Sequence, residues 1–153
     1  MTSTLSHTGI GRSIVPAPVR AAFLFWMGAL AFGAAEMFLH DVEPAGLAVR
    51  LGIYAVVAAV ALRMRAGHNW ARLTLAVGLG VLGTLSLVIE PVTWLLAGHS
   101  VIDAVQRTDL TGGLVATSRA AHLLCVWIAI PLMFTARAGA YFGRPERSGP
   151  PSR

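Results

Sequence analysis

The sequence predicts an all-α membrane protein, a four-helix transmembrane bundle of up-down-up-down layout. Three observations carry that expectation. Apolar runs at about 19–40, 45–62, 73–97 and 120–136 fill most of the 153 residues. Each run is near or above the ~18–20 residues a helix needs to cross ~30 Å of hydrocarbon. Hydrophobic residues are 56% of the chain and charged residues only 12%, against about 25% charged in ordinary soluble domains, so a soluble core would lack a polar shell. The arginines, finally, gather at run ends on one side of the alternating layout.

That side is set by counting. All 12 basic residues are Arg, and the net charge is +5. Arg12, Arg20, Arg63, Arg65, Arg72, Arg137, Arg144, Arg147 and Arg153 fall on the side of both termini; Arg50, Arg107 and Arg119 fall opposite. The acids Asp41, Glu43, Asp103 and Asp109 lie on the Arg-poor side, and Glu146 on the Arg-rich one. An excess of Arg marks the cytoplasmic face. The expectation is a multi-pass protein of a bacterial plasma membrane with N and C termini cytoplasmic. The basic charge therefore orients the chain rather than binding nucleic acid.

Residues 1–18 are rich in Ser, Thr, Gly and Pro and read as a disordered N-terminus. Helix 1 is expected over about 19–40. Glu36 and His40 follow its apolar core with no polar mature start, so it reads as a span rather than a cleaved signal. Asp41, Glu43 and Pro44 supply acids and an N1 proline to a short outer loop and open helix 2, over about 45–65. Arg65-Ala-Gly-His-Asn-Trp-Ala-Arg72 is the cytoplasmic turn, and helix 3 covers about 72–97. In the outer loop 98–112, Ser100-Val-Ile-Asp103 has the form of a capping box and would open a short interfacial helix. Thr111-Gly-Gly113 punctuates the chain before helix 4, over about 114–138. Residues 143–153 form a charged, Pro-rich tail.

Charged side chains inside a spanning helix cost about 2.5–3.5 kcal/mol at the centre and normally face protein or water. Glu36 and Arg50 sit at similar depth on either side of the first outer loop, and Glu90 and Arg119 on either side of the second. Each hairpin would hold a Glu on its outgoing helix and an Arg on its returning one. Arg65-Ala-Gly and Arg137-Ala-Gly echo one another at the other end, as either a parallel 2+2 hairpin repeat or the chance similarity of two Ala/Arg-rich hairpins would give. The two pairs are either ion pairs that set hairpin register or the lining of an outer-leaflet pocket for a proton, a cation or a ligand. His40 and His122 share that depth, and a pair of histidines on two helices is the arrangement a b-type haem would use. No cofactor is otherwise implied. No metal site is legible, and the lone Cys125 allows no internal disulfide.

Small-residue stripes, Ala29 with Gly33 on helix 1 and Ala76, Gly80 and Thr84 on helix 3, would bring those two helices together or form a homodimer seam. Pro91 and Pro131 interrupt helices 3 and 4. No phosphate loop, Ser/His/Asp set or HExxH motif is present, which argues against an enzyme. The Arg65–Arg72 turn and the four-helix layout resemble small four-helix membrane proteins of GC-rich actinobacteria. That resemblance implies an envelope or accessory role and identifies no site. Small multidrug transporters are similar in helix number and carry a Glu on helix 1, although here Glu36 lies near the outer end. The first expectation is thus a non-enzymatic accessory subunit, whose partners are the lipid bilayer and other membrane subunits or a second copy. The alternatives are a small proton- or cation-coupled transporter using Glu36, Arg50, Glu90 and Arg119, and a haem-binding anchor.

Overall fold

Proline and short caps decide where the helices begin. The computed structural model describes residues 15–37, 43–102 and 108–143, the side chain of Glu90 excepted. His40, Asp103 and the ends of the chain lie outside these described residues. Helix α1 runs Ala17–Met37. Helix α2 runs Pro44–Arg65 with Pro44 in its first turn, where a missing N–H is harmless. Helix α3 runs Asn69–Leu96 and helix α4 Leu110–Met133. A short helix α5, Ala136–Phe142, follows. The first four are long and apolar enough to cross a membrane.

Helix 4 departs from its expected 114–138 at both ends. The Asp109 carboxylate accepts the Gly112 N–H at 2.8 Å, which caps the helix early and carries it through the two glycines. At the other end Phe134 leaves the helix, and the Thr135 hydroxyl accepts the Ala138 N–H at 3.4 Å to start α5. Helix 3 begins at Asn69 rather than 72. Gly67, at φ +98°, makes the sharp turn before it, in the left-handed region that a side chain disfavours. Its open face lies under the Tyr141 ring.

Within α3, Leu75–Gly83 is π-helical, a wider coil that is rare and mostly short elsewhere. Pro91 lies within the same helix. The core is narrow. Trp26, Met64, Leu75, Met133, Val19 and Val126 are its largest fully buried side chains. It sits mainly between α1 and α4, with α2 against α1 and the π-helical stretch against α4. Most other large apolar side chains point outward, as a lipid-facing surface requires.

Candidate functional site

Ala29, Phe32, Gly33 and Glu36 recur at helical spacing and share one face of α1. Ser118, Arg119 and His122 do the same on α4. The two faces meet. Arg119 Nε and Nη2 each lie 3.1 Å from Glu36 Oε1. The Ser118 hydroxyl donates to the Phe32 carbonyl at 2.8 Å. His122 Nδ1 lies 2.8 Å from the Ala29 carbonyl oxygen. A carbonyl only accepts, so Nδ1 is the donor of this bond. Further along, Trp26 Nε1 points at Met133 Sδ at 3.4 Å. The partners ascend on α4 as they descend on α1, so these two helices are antiparallel.

Gly33 makes the meeting possible. A Cβ there would lie 2.9 Å from Tyr54 Oη and 3.7 Å from His122 Nδ1. Tyr54 of α2 and His122 of α4 therefore converge over the bare backbone of α1. Tyr54 also lies within electrostatic reach of Arg50 and Glu36.

This differs from the expected hairpin pairing. Glu36 of the first hairpin bonds Arg119 of the second, while Arg50 is exposed on α2. The polar face of α1 is turned to α4. The small-residue stripes also meet other partners than expected. Gly33 faces Tyr54 and His122, and Gly80 faces Ile130 of α4, whose Cδ1 would lie 2.5 Å from an added Cβ. Both stripes therefore serve α4 rather than each other.

Of the six sequence candidates, Glu36, Arg119 and His122 lie along one seam. Arg50 stands off it, the Glu90 side chain lies outside the description, and so does His40. Among the described residues, no three of His, Cys, Asp and Glu gather as metal ligands would. Gly33, expected only as a packing residue, belongs to the seam, as do Tyr54 and Ser118, which were not singled out. The spacing of Gly33 to Glu36 and of Ser118 to His122 is the signal that could have found them.

A lateral cleft of about 650 Å³ opens beside the seam. Leu87, Val88, Pro91 and Trp94 of α3 form one wall, and Val115, Ala116, Arg119 and Leu123 are among the residues of α4 that form the other. The cleft is apolar but for Arg119 and Thr108. A concave, mostly apolar space with one charged group can seat a helix or an amphiphile.

No protein-family model, curated protein or solved structure matches this chain. The reading of the site therefore rests on its own chemistry.

Proposed function

We propose that this chain is a non-enzymatic, multi-pass membrane protein serving as an accessory subunit of a larger membrane assembly. In this reading its four long helices alternate up and down across a bacterial plasma membrane, with both termini cytoplasmic. The supporting observation is the outer half of α3. No described side chain of Thr84–Leu96 is buried, although this stretch walls the 650 Å³ cleft. Helices in a bilayer associate by close packing rather than by leaving water. A helical stretch with no buried side chain among the described residues is suited to a face supplied by another chain. The Glu36–Arg119 pair then serves as a fixed clip between α1 and α4.

The test is native mass spectrometry after gentle extraction from the source membrane, on wild type and Ala116→Trp. The expected result is a defined heavier complex that the indole, filling the cleft, disrupts. A lone monomer or homodimer in both samples would overturn the accessory role. The cleft also supports a second reading, a binding site for an amphiphilic ligand beside Arg119. Small-molecule mass retained by wild type and lost in Ala116→Trp would favour it.

A further inference from the structure

A separate site lies at the opposite end of the helices. Arg20 in the first turn of α1, Arg65 at the end of α2, Phe23 and Leu24 line a pocket of about 140 Å³. The Arg65 guanidinium carbon sits 5.0 Å from the centre of the Phe23 ring. That cation–π contact directs the charge across the gap between α1 and α2. The Tyr141 hydroxyl donates to the Arg65 carbonyl at 2.9 Å, which ties α5 to the same corner.

Two arginines thus line one small space, and no described acid lines it with them. The described acid side chains, Glu36, Glu43 and Asp109, belong to the far end, and Glu146 lies outside the described residues. On α1 itself Glu36 lies roughly 24 Å beyond Arg20, at 1.5 Å per residue. The segment before α1 contains no Asp or Glu. Like charges repel, and an anion between them turns that repulsion into two attractions. The remaining walls are apolar, and the Leu24 side chain is 68% exposed. An anion alone would leave that surface unused, whereas an anion attached to a hydrocarbon chain matches both halves. The pocket also lies at the end of two helices of membrane-crossing length, the depth at which lipid phosphates sit.

We propose that this pocket binds the phosphate of an anionic phospholipid, with an acyl chain laid along Phe23 and Leu24. Arg20 and Arg65 supply planar, multidentate donors suited to phosphate oxygens. The proposal requires that α1 and α2 lie in a bilayer. It holds whether or not the chain has a protein partner.

The experiment reconstitutes the full chain in nanodiscs of equal phosphatidylglycerol and phosphatidylcholine and reads the retained lipids by native mass spectrometry. Wild type is expected to retain phosphatidylglycerol preferentially. Arg20→Gln and Arg65→Gln should each lower that preference about fivefold. Arg63→Gln and Arg137→Gln, which remove charge at the same end but outside the pocket, should change it by less than about twofold. Leu24→Glu tests the pocket without removing either arginine, by placing an acid between them, and should abolish the preference. Equal retention of the two lipids by wild type would overturn the proposal. So would an Arg63→Gln effect as large as that of Arg65→Gln, an unchanged preference in Leu24→Glu, or displacement of the lipid by millimolar inorganic phosphate, which would make the ligand a soluble anion.

Discussion

The α1–α4 seam and the second half of α3, Thr84–Leu96, are both apolar helical surfaces, and they are held in opposite ways. Along the seam, small residues let backbones approach, and each polar side chain ends on a partner: Arg119 on Glu36, Ser118 on Phe32, His122 on Ala29. Along Thr84–Leu96 no described side chain is buried. The bond from Trp127 Nε1 to Thr84 Oγ1, at 3.4 Å, marks where that stretch leaves α4. Apolar composition places a segment in the membrane. Packing inside the membrane depends instead on steric fit and satisfied polar groups.

The comparison breaks most directly at two tryptophans. Trp26 is 1% exposed and lies in the seam, whereas Trp127 is 61% exposed. Trp26→Ala leaves a large cavity and should cost about 3–5 kcal/mol. Trp127→Ala should cost less than about 0.5 kcal/mol, as exposed positions do. Reversible unfolding in bicelles, titrated with denaturing detergent, measures both. Equal losses would mean that α3 is packed as firmly as the seam.

Glycine gives the next contrast. Gly33→Val must displace the Tyr54 ring and should cost about 1–3 kcal/mol by overpacking. Gly78, in the π-helical stretch, has nothing within 4 Å of an added Cβ. Gly78→Ala should be neutral or stabilising by up to about 1 kcal/mol. The same unfolding assay separates them, and a destabilising Gly78→Ala would show that the π-helical stretch depends on a bare backbone there.

The ion pair comes third. The side chains of Arg119 and Glu36 remain 39% and 17% exposed, so the pair is only partly removed from solvent or headgroups. Glu36→Gln and Arg119→Leu should each cost about 1–2 kcal/mol, and the double variant should recover part of the loss, with a coupling of about 1 kcal/mol. Strict additivity of the two would show that the pair does not hold the helices.

These contrasts also mark what the sequence could convey. The four spans were legible because run length alone tests them against bilayer thickness. The start of helix 4 was not, because Thr111-Gly-Gly113 has the composition of a break, and only the Asp109 cap turns it into a first turn. The π-helical stretch was invisible, since Leu75–Gly83 has the same composition whether its bonds run to the fourth or the fifth residue. The partner of Glu36 was misjudged for a related reason. Sequence position fixes the depth of Arg50 and Arg119 alike. On a helix that is apolar on every side, it does not fix which way α1 rotates.

The smallest expected effect concerns Pro91, in the loosely held half of α3. Proline donates no backbone bond, so the Leu87 carbonyl has no partner four residues on. In the seam such a gap would be compensated by neighbouring groups, but few surround Pro91, whose side chain is exposed. Pro91→Ala restores the missing donor without filling or emptying a packed space. Because little of the fold rests on this stretch, total stability should rise by less than about 1 kcal/mol, well short of the ~3 kcal/mol that an interior proline costs a packed helix. The informative readout is local. Amide hydrogen exchange across 84–96 should slow, while exchange across 22–36 on α1 stays constant, since regions opening as separate units report separately. Slowing along α1 as well would mean that the two regions open together, and the distinction between a locked seam and a free α3 would fail.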